Sequence, residues 1–138
     1  MAEIVKISDA VALGIHAATL LAADAGTAYS CKELAGILGV SDHHLAKVMQ
    51  RLVRGDIVTS TRGPKGGFVL EKPPAETTFL QVMEAIDGPL KVPGCLIGKP
   101  KCNGQECVMG TLLHEIYEKS HRYFRQTTLA DLARVIEK

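Results

Sequence analysis

Ser41-Asp42-His43-His44-Leu45-Ala46-Lys47-Val48-Met49-Gln50-Arg51-Leu52-Val53-Arg54-Gly55 opens the stretch that decides the fold, and Ile57-Val58-Thr59-Ser60-Thr61-Arg62-Gly63-Pro64-Lys65-Gly66-Gly67-Phe68-Val69-Leu70 completes it. In the first half Ser41 is placed to cap a helix, Leu45, Val48, Met49 and Leu52 recur at spacings of three and four, and Gly55 is a stop. This spacing predicts a helix from Asp42 to Arg54 with one buried face. In the second half, two short β-branched or aromatic runs flank Arg62-Gly63-Pro64-Lys65-Gly66-Gly67. Glycines that permit positive φ, at a basic tip between two strands, predict a β-hairpin.

Upstream, Ser30 caps a helix to Leu38, with Glu33 three residues on as a capping box, and Gly39 breaks it. Two helices joined by a short turn containing glycine form the helix-turn-helix pattern, in which the second helix enters the DNA major groove. Plain helix packing gives the same pattern, but a hairpin directly behind it makes a winged helix. Charge distribution agrees. The chain carries only +1 overall, yet between His43 and Val69 Lys47, Arg51, Arg54, Arg62 and Lys65 stand against the single acid Asp56, a local excess of +4. Nucleic acid rewards charge where the phosphates lie, not on average. Arg62 and Lys65 are expected where a wing meets the minor groove or backbone; a solvated basic face is the blander alternative.

The flanks extend this unit. Ser8 caps a helix to about Ala25, stopped by Gly26, with Val11, Gly14, Ile15, Ala18, Leu21 and Ala22 as an apolar stripe. Asp9 in its first turn reads as ordinary helix-dipole chemistry, and His16 as a surface or half-buried residue. Pro73-Pro74 closes the winged unit, and Thr77 or Thr78 opens a helix through Phe79, Val82, Met83 and Ile86 to Gly88-Pro89. The longest pattern runs from about Val108 to Arg125, seamed by Met109, Leu112, Leu113, Ile116, Tyr117, Ser120, Tyr123 and Phe124. It predicts a dimer contact, and two-fold dimers suit palindromic operators. Thr127-Thr128 cap a closing helix through Leu129, Leu132, Val135 and Ile136. The expected fold is mainly α with a small β-hairpin wing. A winged helix-turn-helix domain occupies 1–74, its first helix also contributing to the dimer; 75–138 holds a sensor loop (88–107) and dimerisation helices.

That loop contains Cys95-Leu96-Ile97-Gly98-Lys99-Pro100-Lys101-Cys102-Asn103-Gly104-Gln105-Glu106-Cys107, three of the chain's four cysteines in thirteen residues. There is no charged-then-apolar leader pattern and no apolar run near the ~18 residues that span a bilayer, so the expectation is a cytoplasmic protein. In that compartment thiols stay reduced, and clustered cysteines favour metal binding or redox chemistry over a disulfide. Zinc prefers closer cysteine pairs than gaps of six and four residues allow. A thiol switch beside Lys99 and Lys101 is the stronger rival, and three buried cysteines in a core are the structural alternative. Cys31 reads as packing. No enzyme is expected: no nucleophile-base pair stands out, and Gly63-Pro64-Lys65-Gly66-Gly67 leads into a strand, unlike a phosphate-binding loop.

Along its whole length the chain resembles the Rrf-two family of winged-helix transcription regulators, the group that includes IscR, NsrR and CymR. The resemblance is carried by Val40-Ser41-Asp42-His43-His44-Leu45-Ala46-Lys47-Val48, by the wing Arg62 to Phe68, by Val82-Met83-Glu84-Ala85-Ile86-Asp87-Gly88, by the three cysteines and by Thr128-Leu129-Ala130-Asp131-Leu132. It implies a homodimer that binds double-stranded DNA, with Asp42 to Arg54 in the major groove and the wing in the minor groove. Ser41, His43, His44, Lys47, Arg51, Arg62, Lys65 and Gly66 are then the expected DNA-binding residues. It also implies an iron-sulfur cluster, of two-iron or four-iron type, on Cys95, Cys102 and Cys107. One branch of the family adds a histidine three residues after the last cysteine, where this chain has Gly110. In other members the resemblance points to an acid on the first helix of the partner subunit, with which Asp9 aligns. Asp9 thus becomes the leading fourth ligand, with Glu106 and His114 as alternatives. The recognition stretch is more like the nitric-oxide-sensing branch than IscR. The implied function is a repressor whose operator binding follows cluster status, redox state or nitric oxide. A partner-controlled or thiol-switch regulator of the same fold, or a zinc-binding regulator, is the alternative.

Overall fold

The computed structural model describes residues 5–92, 95 and 107–137. Helix α1 (Asp9–Ala23) begins where Ser8 Oγ accepts the Val11 N–H at 3.1 Å, and its acid Asp9 complements the helix dipole. The sequence pattern predicts a single apolar stripe for it. The structure instead buries Val11 and then nearly everything from Gly14 to Ala22, because small side chains let neighbours close in from several directions. The one buried hydroxyl among these, Thr19, donates to the Ile15 carbonyl at 2.6 Å, which satisfies it. The helix stops two residues short of Ala25. Asp24 leaves helical geometry there, its carbonyl accepts the Thr27 N–H in a turn, and its carboxylate takes the Tyr29 hydroxyl.

Helices α2 (Cys31–Leu38) and α3 (Asp42–Arg54) follow the sequence expectation closely. Ser30 accepts the Glu33 N–H at 3.0 Å and Ser41 the His44 N–H at 3.1 Å. Gly39 ends α2 at φ +69, a left-handed conformation that glycine adopts without strain. Leu45, Val48, Met49 and Leu52 make the buried face of α3. After the turn at Gly55 and Asp56, strands β1 (Val58–Thr61) and β2 (Gly67–Leu70) pair antiparallel, with Val58 opposite Leu70 and Thr61 opposite Gly67.

The wing is docked at its base, since Phe68 N donates to Tyr29 O at 2.8 Å and Tyr29 N to Phe68 O at 3.1 Å. Gly67 permits this close approach: a Cβ there would lie 2.5 Å from the Tyr29 carbonyl oxygen. A single 3-10 turn (Pro74–Glu76) leads to α4 (Phe79–Asp87), opened by a Thr78/Gln81 capping box. Helices α5 (Val108–Gln126) and α6 (Leu129–Ala133) complete the fold, the latter with a Thr128/Asp131 capping box. The starts of α4 and α6 are laced together by Phe79 N to Thr127 O and Leu129 N to Thr77 O, both 2.8 Å. The expected helix through Val135 and Ile136 ends earlier: Val135 N–H bonds back three residues to Leu132, and its side chain is 79% exposed.

One hydrophobic core runs through both segments expected from the sequence. Val82, Met83, Ile86 and Leu129 join α1, α3 and the wing base in a single cluster. Helices α4 and α6 therefore belong to the body of the winged unit. Helix α5 lies against α4, where Phe124 stacks on Phe79 with ring centroids 4.8 Å apart.

Gly67→Ala should detach the wing base and lower stability in urea unfolding by about 1–3 kcal/mol, the usual cost of overpacking. Gly36, exposed in α2 with nothing within 4 Å of where a Cβ would stand, gives the opposite expectation. Gly36→Ala should stabilise by roughly 0.5–1 kcal/mol through helix propensity.

Candidate nucleic-acid interface and sensor cysteines

The exposed side of α3 carries His43, His44 and Lys47, all turned away from its buried leucines. Gln50 and Arg54 continue the same exposed face at helical spacing from His43 and Lys47. Gln50 is not among the residues expected from the sequence, and Arg54 enters there only as part of the basic footprint, although the same spacing points to both. Ser41 Oγ is already an acceptor, for the His44 N–H, so its own hydroxyl proton is left to donate. Arg51 differs from its neighbours. Its Nη1 donates to the Ile86 carbonyl at 3.3 Å and lies 3.9 Å from Asp87 Oδ1, so the guanidinium reaches the C-terminal end of α4.

In the wing, Arg62 and Lys65 are exposed at the tip. Thr61 Oγ1 ties the base of the turn to Gly67 O at 3.0 Å and Gly67 N at 3.1 Å. Gly66, expected on the DNA, has a job inside the hairpin. Its N–H is donated to Gly63 O at 2.9 Å, and a Cβ at this position would stand 2.5 Å from Thr61 O. It shapes the tip that presents its basic neighbours.

Of the three loop cysteines, Cys95 and Cys107 are described, both half-buried and free, whereas Cys102 lies outside the described residues, as does Glu106. Cys107 is the N-cap of α5, where its Sγ accepts the Gly110 N–H at 3.2 Å. Gly110 makes that closeness easy: a Cβ at this position would come within 3.1 Å of Cys107 Cβ and 3.5 Å of its Sγ. A half-buried sulfur supplied with a backbone N–H is oriented as a metal ligand needs to be. In that respect the residues present fit a cysteine-ligated cluster.

The fourth-ligand candidates separate in space. His114 stands two turns along α5 from Cys107, about 10 Å by helix rise, and pairs with Glu118 at 3.8 Å. Asp9 lines an open cleft of about 380 Å³ with Leu13, His16, Leu38, Val40 and His44. Among the described residues no three His, Cys, Asp or Glu side chains converge within one chain as a metal site would require. Cys31 is apart from all of this. Its Sγ donates to the Asp42 carbonyl at 3.5 Å, and burial, followed by the Asp42 carboxylate, pushes its thiol above the ordinary value. That disfavours the reactive thiolate. No described helix is long and apolar enough to cross a membrane.

Comparison with known proteins places this geometry. The model of the Rrf2 family, described as iron-dependent transcriptional regulator, matches residues 7–135. The regulator NsrR of Geobacillus kaustophilus is 32% identical over 107 residues, 73% of this chain and 70% of that protein. IscR of Serratia proteamaculans is 33% identical over 95 residues, 68% of this chain but only 57% of its own length. The solved structure of CymR, the global cysteine regulator of Bacillus subtilis, superposes with a TM-score of 0.84 at 27% identity, covering 96% of this chain and 99% of CymR. Its neighbours being regulators and not enzymes, and its α3 and wing forming a winged helix, the chain belongs to the Rrf2 family of DNA-binding transcriptional regulators.

Proposed function

We propose that the chain is a homodimeric repressor whose binding to a palindromic operator is controlled by an iron-sulfur cluster. Its ligands are Cys95, Cys102 and Cys107, with Asp9 of the partner subunit. The observation that carries this reading is Cys107 at the head of α5, half-exposed and receiving the Gly110 N–H. When bound, such a cluster supplies a centre that oxidants or nitric oxide attack at its weakest, oxygen-donor ligand.

The remaining roles fall to side chains on α3, the wing and α5. His43, His44 and Lys47 face the major groove, with Gln50 and Arg54 on the same side, and the Ser41 hydroxyl donates to a backbone phosphate. Arg62 and Lys65 grip the minor-groove edge, shaped by Gly66. Dimerisation uses α5. Leu113 and Phe124 point into the fold, while Met109, Leu112 and Tyr123 are 38%, 47% and 67% exposed, and at helical spacing with half-buried Ile116 they make a second apolar stripe.

One observation favours a second reading. The match to CymR extends over nearly the whole of both chains, so a thiol-switch or partner-controlled regulator of the same fold fits the backbone as well.

Anaerobic reconstitution with iron and sulfide separates the two. The first reading expects visible absorption from the parent protein and its ready loss in Asp9→Ala; a colourless parent protein would leave the thiol-switch or partner-controlled reading. For the wing, the Arg62→Ala, Lys65→Ala double variant should weaken operator binding and flatten the slope of log K against log salt by about 2, one for each phosphate no longer neutralised. Leu112→Glu should convert the dimer to monomer in sedimentation, and operator affinity should fall with it.

A further inference from the structure

The last turn of α4 is held from two sides. Ala85 packs against Gly55 at the end of α3, where a Cβ would lie 2.5 Å from Ala85 Cβ. Ile86 sits over Gly14 of α1, where a Cβ would come within 2.2 Å of Ile86 Cδ1 and 3.2 Å of Val48 Cγ1 of α3. Glycines at both crossings leave no slack between the three helices. A displacement of the end of α4 is therefore passed to α3 and not absorbed by repacking.

Asp87 closes this joint with its two carboxylate oxygens. Oδ2 accepts the Ser8 hydroxyl at 2.5 Å, and Oδ1 faces Arg51 Nη1 at 3.9 Å while the same nitrogen donates to the Ile86 carbonyl. Arg51 thereby caps the C-terminal end of α4, a favourable place for a cation. Ser8 is meanwhile the N-cap of α1, and the residue after it is Asp9. The residue after Asp87 is Gly88, whose φ of +80 ends α4 and begins the segment toward the cysteines.

We propose that Asp87 is a positioning residue: with Ser8 and Arg51 it forms a clasp that carries the state of the cysteine segment and of Asp9 to the recognition helix. The clasp rests on the regulatory reading given above and adds to it a named route. Input enters at two places, through Gly88 from the chain's own cysteine segment and through Ser8 from Asp9, which ligates the partner's cluster. Output leaves through Arg51, on the last turn of the helix that reads the operator. On this account Arg51 serves DNA binding by orienting α3 and makes no phosphate contact of its own.

A double-mutant cycle on the full-length, cluster-free protein tests the clasp without depending on the cluster. Operator dissociation constants are measured for Ser8→Ala, Arg51→Met and the double variant, with urea unfolding as a check on the fold. The clasp requires a coupling factor of at least about threefold between these two residues, and its disappearance in an Asp87→Asn background. Purely multiplicative effects overturn it, as does a fall of about 1 in the salt slope of Arg51→Met, which would mark a direct phosphate contact. In the reconstituted protein, Asp87→Asn should keep the parent's visible absorption while shrinking the ratio of operator affinities between loaded and cluster-free states by at least about threefold. An undiminished ratio overturns the clasp. A colourless parent with intact Ser8–Arg51 coupling overturns the cluster and leaves the clasp standing.

Discussion

The burial of α1 is the constraint on which the other elements depend. A helix normally presents one apolar stripe to a core, but from Gly14 to Ala22 this one is enclosed by α2, α3, α4, α6 and the wing strand β2. Ala17, Ala18 and Ala22 make this possible, since short side chains let neighbouring backbones approach from several directions, and Leu20 and Leu21 fill the spaces between them. The DNA-reading helix is thus fixed to the same axle as the helix leading into the cysteine segment. In a winged helix whose first helix was merely a lid, the two would be free to part.

Glycine marks the points where this assembly is tightest. Gly14, Gly55 and Gly67 each sit where a Cβ would overlap a neighbour, and the three neighbours are Ile86, Ala85 and the Tyr29 carbonyl. Each contact joins two elements far apart in the chain: α1 to α4, α3 to α4, the wing to the turn before α2. Close packing at such points makes the unit respond as a body. A regulator benefits from that stiffness, because control of an operator requires that a local change reach the spacing or tilt of α3.

Much of this is legible in the sequence because the signals are local. Ser8, Ser30, Ser41, Thr78 and Thr128 all cap the helices expected of them, and the wing follows from two short runs around a glycine-rich tip. What escapes the sequence is non-local. The enclosure of α1 cannot be read from a 3.6-residue period, which records one face and not how many partners surround it. The placement of α4 and α6 in the body of the winged unit depends on the lacing of Thr77 and Thr127 and on Ile86 over Gly14, contacts between residues far apart in the chain. At the site, composition singles out Cys107 but not its hydrogen bond from Gly110, a position that stands out in the sequence only for the histidine it lacks.

Arg51 shows most clearly what composition leaves undistinguished. Five basic side chains between His43 and Val69 suggest one footprint for phosphates, and Arg51 falls in the middle of it. In the fold its guanidinium lies at the end of α4 beside Asp87, where part of its charge is offset locally. Lys47, Arg54, Arg62 and Lys65 are exposed on α3 and the wing with no such contact among the described residues, and the Arg51 side chain, although engaged, is itself half exposed. Phosphate contacts supply affinity in proportion to the charges that reach the duplex. In the clasp proposed above, Arg51 is committed to the joint between α3 and α4, which takes one of five charges from non-specific attraction and places it where a regulatory change can act upon it. On that proposal, a charge that composition groups with binding strength serves control instead.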